Sequence, residues 1–377
     1  MANKLFEPIT IGESKLNHRI AMAPLTRYRA TDEYIPSDLA VKYYEQRSST
    51  KGTLIVSEGT FIHAKAGGEA NVPGIWKKEQ IQGWKKIVDK VHANGSYIYL
   101  QLWALGRAAK LEVLEKELGK DNARVVSSSD IPLEGGDKPE PLSEDEIKEY
   151  VEWYAQAARN FIHEANGDGV EVLSAQGYVV CILDQFLQTN ANRRADSHGG
   201  SVKNRTKFTL QVVDAISKAV GESKTAIRLS PFSTLHEMRM PEDDIKKTFS
   251  FLIEQLKVRH PKLAYLHLVL PRVPESKDDD GPDDNIEFLT NIWKPLPILL
   301  AGELTAKTAL EKAEKYENSV AVFGRYFISN PDLPLRIQKE LQFTPYNRDT
   351  FYLAGPTQAE GYTDYPFLNE GVKNVEL

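Results

Sequence analysis

Gln176 and Tyr178 lie two residues apart in the polar segment Ser174-Ala175-Gln176-Gly177-Tyr178, directly after the apolar run Val170 to Leu173. An amide can donate a hydrogen bond to an oxygen that gains negative charge, and a phenol can deliver a proton. Thr26, Gln101 and Arg228 stand at the ends of other short apolar runs. They are donors suited to an electron-rich ring, or to negative charge developing on one. Gly302 and Gly324-Arg325 follow two further runs. Glycine lets a backbone approach a ligand closely, and a guanidinium offers a fork to phosphate oxygens.

The elements that must position these residues are short and regular. Apolar runs occur at Ile20 to Ala23, Gly52 to Val56, Tyr97 to Leu102, Val170 to Leu173, Thr225 to Leu229, Tyr265 to Leu270, Ile298 to Ala301 and Ser319 to Phe323. Helical periodicity fills most of the gaps, at Leu39 to Arg47, Gln80 to Asn94, Ser143 to about Ala165, Val202 to Val220, Asp243 to Val258 and Thr305 to Lys315. Ser143 with Glu146 reads as a capping box. Eight strands alternating with helices predict a parallel α/β architecture closed into a (β/α)8 TIM barrel, with residues 1–377 as one domain. Leu5 to Leu16 is expected to form a hairpin plugging the barrel bottom. Lys110 to Pro141 reads as a barrel-top insertion or lid, about residues 274–284 as a mobile acidic loop, and the tail from Tyr346 as a segment folding back over the rim.

In such a barrel the chemistry sits at the C-terminal strand ends, and the corner after the last two strands commonly holds a phosphate. A phosphate corner together with polar ring contacts suits flavin mononucleotide (FMN) better than a simple sugar phosphate. The same residues also admit a plainer reading, in which Gly302 and Gly324 make ordinary turns and Arg228 sits in a barrel-core ion pair.

Composition narrows the classes. The chain has 377 residues, 41% hydrophobic and 27% charged, with a net charge of −6. No basic footprint argues for nucleic acid or an anionic membrane, and no run approaches a membrane span. The single cysteine, Cys181, excludes an internal disulfide framework and a cysteine metal cluster, and fits a reducing, cytoplasmic setting. Without a histidine or lysine nearby in sequence, Cys181 reads as a buried apolar filler. His267 reads as core-facing, and no His/Asp/Glu spacing suggests a metal site. A homodimer is compatible with the sequence.

Taken end to end, the chain resembles the Old Yellow Enzyme family of FMN-dependent ene-reductases. The resemblance rests on Leu5-Phe6-Glu7-Pro8, Ala23-Pro24-Leu25-Thr26-Arg27, Ser57-Glu58-Gly59, Pro73-Gly74-Ile75-Trp76, Gln101-Leu102-Trp103 and Gly169-Val170-Glu171. It continues through Asp184-Gln185-Phe186-Leu187, Gly199-Gly200-Ser201, Arg228-Leu229-Ser230-Pro231 and Phe323-Gly324-Arg325-Tyr326-Phe327. The Trp103 to Ala109 stretch and the Gly361 to Pro366 tail look most like fungal members of specialised metabolism, such as those of the ergot-alkaloid branch. The resemblance implies FMN with NADPH as reductant. It also implies cofactor contacts at Pro24, Leu25, Thr26, Gly59, Gln101, Arg228, Gly302, Gly324 and Arg325.

The departures are as informative. The family's central tip usually reads His-Gly-Ala-Asn-Gly-Tyr, and its His and Asn polarise the substrate. This chain reads Leu173-Ser174-Ala175-Gln176-Gly177-Tyr178. Leu173 has no hydrogen to donate, Gln176 reaches from a longer arm, and Tyr178 alone matches in type. About three extra residues then precede Asp-Gln-Phe-Leu, enough to turn a helical path by roughly 300°. The acid that usually ends the sixth strand is replaced by Leu270, and Glu303 follows Gly302 where a small or neutral residue is usual. The expectation is Tyr178 as proton donor, Gln176 as polar contact, and a larger apolar pocket including Leu173, Trp103 and Tyr352. Two rival readings remain from the sequence: a redox-neutral isomerase or cyclase on the same scaffold, and a non-catalytic binding protein.

Overall fold

The computed structural model describes residues 3–175, 181–270, 285–302 and 304–368. Eight parallel strands close on themselves: β1 (Ile20–Met22), β2 (Leu54–Val56), β3 (Tyr97–Trp103), β4 (Gly169–Ser174), β5 (Thr225–Leu229), β6 (Tyr265–Val269), β7 (Ile298–Ala301) and β8 (Ser319–Phe323). Each pairs with the next in sequence, and β8 returns to β1 through Val322 opposite Ala21. All are rich in aliphatic residues because helices cover them outside and their neighbours' side chains fill the inside. The covering helices are α1 (Asp38–Arg47), α2 (Lys78–Ala93), α3 (Glu144–Arg159), α4 (Lys207–Val220), α5 (Glu242–Arg259), α6 (Glu287–Trp293), α7 (Ala306–Lys315) and α8 (Leu333–Gln338). This is the expected (β/α)8 barrel.

Register sorts the barrel interior into levels. Gln101 stands opposite Glu171, Leu173 opposite Arg228, Arg228 opposite His267, and His267 opposite Leu299. Below this polar level the interior is apolar, with Leu54, Tyr99, Ala226, Tyr265 and Val320 packed together. Ile11 and Leu16 join the same cluster from an antiparallel hairpin, Ile9–Ile11 with Ser14–Leu16. The hairpin therefore plugs the bottom, leaving the polar level to face the mouth.

Several local boundaries differ from the sequence expectation. Serine 143 and Glu146 do form the capping box, but the α-helix stops at Arg159 and continues as a π-helical turn over Asn160–Glu164. The wider turn carries Asn160, whose Nδ2 donates to the Ile75 carbonyl at 2.8 Å. The helix expected over Val202 to Val220 breaks after Arg205. Thr206 bonds its hydroxyl back to the Val202 carbonyl at 2.9 Å, a competitor of the helix ladder. The insertion after β3 is not bare loop, since it contains a helix over Leu111–Leu118 and a two-residue pairing of Val126–Ser127 with Glu140–Pro141. α6 was not expected; its seven residues are too short to show a clear period. The acidic loop at 274–284 lies outside the described residues. No helix among the described residues is long and apolar enough to cross a membrane.

Residues 350–363 pack on the rim beside the tip of β1. Three buried arginines hold this strap by its carbonyls. Arg27 donates to Phe351 and Gly361, Arg29 to Thr350, Phe351, Gln358 and Glu360, and Arg47 to Tyr362. The rings of Tyr43 and Tyr362 stack at 4.2 Å between the guanidinium groups. The tail thus folds back over the rim, as its composition suggested.

Candidate active site at the barrel mouth

The floor of the mouth is a hydrogen-bonded polar cluster on three strands. Gln101 of β3 donates its Nε2 to Glu171 Oε1 of β4 at 2.7 Å. The other carboxylate oxygen meets His267 Nδ1 of β6 at 2.8 Å. Glu171 and His267 are fully buried. Burial alone would raise the Glu171 pKa, but His267, Arg228 and Gln101 outweigh it and hold the carboxyl below its ordinary value. Burial lowers His267, against the pull of Glu171. The pair is therefore a carboxylate accepting from the Nδ1–H of a neutral imidazole. Arg228 of β5 is deep in the barrel yet partly reachable by solvent, and burial lowers its pKa against the neighbouring Glu171 charge. Its Nε and His267 Nε2 are buried without a hydrogen-bond partner among the described residues.

The walls come from the other strand tips. After β1, Ala23 is tied to β8 by its N–H on the Phe323 carbonyl at 2.9 Å, and Pro24, Leu25 and Thr26 follow it along the rim. Leu25 and Thr26 are half-buried. After β2, Ser57 accepts from the Gln101 backbone N–H at 3.0 Å, which ties the β2 tip to β3. Gly59 packs flat on Trp103, where a Cβ would fall 2.8 Å from the indole. Beyond β7, Gly302 has φ of +140°, and a Cβ there would lie 2.9 Å from the Leu270 Cβ. Gly324 caps the short helix Arg325–Ser329, and a Cβ on it would meet nothing nearer than Leu25 Cδ2 at 3.4 Å. The free backbone N–H groups at such a helix start favour an anion. Arg325 is half-buried beside it, with one Nη1 contact to the Tyr346 hydroxyl at 3.3 Å.

The structure brings most of the sequence-predicted residues to this mouth. Leu173 sits at the end of β4 next to Arg228, 5% exposed. Trp103 is 1% exposed, wedged between Gly59 and Phe61, whose ring lies 5.0 Å away. Tyr352 reaches the rim from the strap, edge-on to Tyr28 at 5.9 Å. Gln176, Tyr178 and Glu303 lie outside the described residues. The chain re-emerges at Cys181, which donates its thiol to the Leu173 carbonyl at 2.6 Å and starts the buried helix Ile182–Leu187. Burial pushes the thiol up to about 12, in keeping with a filler. Sequence reasoning did not single out Glu171 as a functional residue. Its signal was one acid inside an otherwise apolar strand, at the level of Gln101. A separate surface group, Glu144, Asp196 and His198, is internally paired with Ser197, Arg194 and Gln211.

On the floor an Arg228 Nε unpartnered among the described residues, and at the β7–β8 corner the bare backbone of Gly302 and Gly324, fit a flavin ring above Arg228 and Gln101 and a phosphate by Gly324. The fold and this site define an FMN-dependent flavin oxidoreductase. A family model described as NADH:flavin oxidoreductase / NADH oxidase matches residues 4–343, and the chain belongs to that family, with Old Yellow Enzyme. It is 46% identical to an NADP-dependent oxidoreductase of Aspergillus flavus over all of both chains. It is 46% identical to a chanoclavine-I aldehyde reductase of Penicillium roqueforti over 99% of each. It is also 42% identical to a probable inactive dehydrogenase of Claviceps purpurea, over 98% of this chain and 96% of that one. The crystal structure of Old Yellow Enzyme from Pichia superimposes with a TM-score of 0.88 at 32% identity, covering 98% of this chain and 95% of that one. Morphinone reductase in complex with tetrahydroNAD gives 0.86 at 36% identity, covering 99% of each. FMN is the cofactor and a reduced nicotinamide the reductant.

Proposed function

We propose that this enzyme reduces an activated C=C in an apolar fungal specialised metabolite, and that the substrate is already polarised when it binds. The carrying observation is Leu173, an apolar side chain at the β4 tip beside Arg228, where relatives of this family usually place a histidine donor. Bound FMN would supply the hydride chemistry that links NADPH to the alkene. Arg228 supplies positive charge at the floor, favouring a reduced, anionic ring. Leu173 excludes water and offers no hydrogen-bond donor at its own position to a neutral ketone. Tyr178 is the proposed proton donor and Gln176 the polar contact. An iminium or a conjugated polyene needs no added polarisation, so such a site would accept it while turning over simple enones poorly.

The relatives' names support the pathway class, since one is a chanoclavine-I aldehyde reductase. The test is a visible spectrum of the purified protein, followed by anaerobic NADPH and then candidate substrates. Bleaching of the flavin band, with one NADPH consumed per product, is expected. Product formed without NADPH consumption would replace this reading with the redox-neutral one. If Tyr178→Phe left turnover of the true substrate unchanged, the proton-donor role would be wrong.

A further inference from the structure

The Gln101 side chain can face its carboxamide either way, and the two orientations offer a ligand opposite hydrogen-bond polarity. Glu171 removes the choice. An ionised carboxylate only accepts, so Gln101 must turn its NH2 to Glu171 Oε1, 2.7 Å away, leaving its own oxygen for the ligand side. The same carboxylate, through Oε2, fixes His267 with its proton on Nδ1 and its Nε2 lone pair unpartnered among the described residues. Arg228, one strand over, can only donate. We propose that Glu171 is a positioning residue that sets the hydrogen-bond polarity of the cofactor floor, accepting at Gln101 and donating at Arg228. This pattern selects a ring edge with an N–H beside a carbonyl oxygen, as on the pyrimidine side of isoalloxazine. Glu171 touches no ligand itself, being fully buried beneath the residues that do.

The inference rests on FMN occupying this mouth, and the experiment separates the two. An accepting floor disfavours loss of the ring N–H proton, and so does the Glu171 charge. The FMN-loaded protein is titrated to alkaline pH, and ionisation of the bound ring is followed in the visible spectrum. In Glu171→Gln the residue at 171 can offer either an oxygen or an NH2, and the negative charge is gone. Ionisation of the bound ring is expected about one pH unit lower or more, a tenfold change in its equilibrium constant. A residue with only a structural role would leave that titration in place. Native protein that holds FMN, with an unmoved titration in Glu171→Gln, overturns the inference alone; native protein that holds no FMN overturns the cofactor placement with it. Should the variant fail to fold or load, the native protein carrying 15N-labelled FMN decides. Slow exchange of the ring N–H with solvent supports the accepting floor, and exchange as fast as in free FMN refutes it.

Discussion

Glu58→Gln tests the electrostatics of the strap directly. Glu58 follows β2, is 3% exposed, and lies between the Tyr44 hydroxyl at 3.3 Å and the Arg27 backbone N–H at 3.5 Å. Burial pushes its pKa from the ordinary 4.5 up to about 7, with the Arg27 N–H, Arg27, Tyr44 and Arg29 opposing. Below pH 4.5 both folded and unfolded chains hold the proton. As pH rises toward 7 the unfolded chain releases it first, so folding becomes less favourable, and the full loss is reached above 7. At about 1.4 kcal/mol for each pH unit separating the two states, that span is worth about 3 kcal/mol. Glutamine keeps an acceptor and does not titrate. The unfolding free energy of the variant minus that of the native protein should therefore rise by up to about 3 kcal/mol between pH 4.5 and 8. Urea unfolding in saturating FMN at several pH values measures it, and other titrating groups cancel in the difference. A difference that stays flat with pH would refute a buried, neutral-leaning Glu58.

Three further outcomes follow from the mouth. Leu173→His restores a donor beside Arg228 and should raise cyclohexenone turnover by about tenfold or more, checked by NADPH oxidation under saturating FMN. Gly302→Ala forces a side chain onto φ of +140° and against Leu270, and should weaken FMN binding by about tenfold or more in a fluorescence titration. The Cys181 thiol should resist an aromatic disulfide reagent in the native protein and react at once in urea, since it is buried and its pKa is pushed up to about 12.

The barrel was legible because each strand is a compact aliphatic run between helical patterns, and period alone separates the two. The hairpin plug and the Ser143 capping box were legible for the same local reason. Boundaries failed where a side chain competes with the ladder, as at Thr206, or where an element is too short to repeat, as in α6. At the site, types and order pointed to Thr26, Gln101, Arg228 and the two glycines. The coupling of Gln101 to Glu171 and His267 was not legible. It depends on barrel register between residues 70 and 96 positions apart, which no local pattern encodes.

The strap has a consequence for how the protein is made. Arg27, Arg29 and Arg47 sit in the first β/α unit, while several of the carbonyls they donate to belong to residues 350–362. On the ribosome the barrel is synthesised almost entirely before those carbonyls emerge. Until then the Arg27 and Arg29 donors that those carbonyls take must stay hydrated beside the β1 tip. That part of the rim is completed only when residues 350–362 dock, so flavin can enter a nearly complete barrel before the strap packs beside the β1 tip.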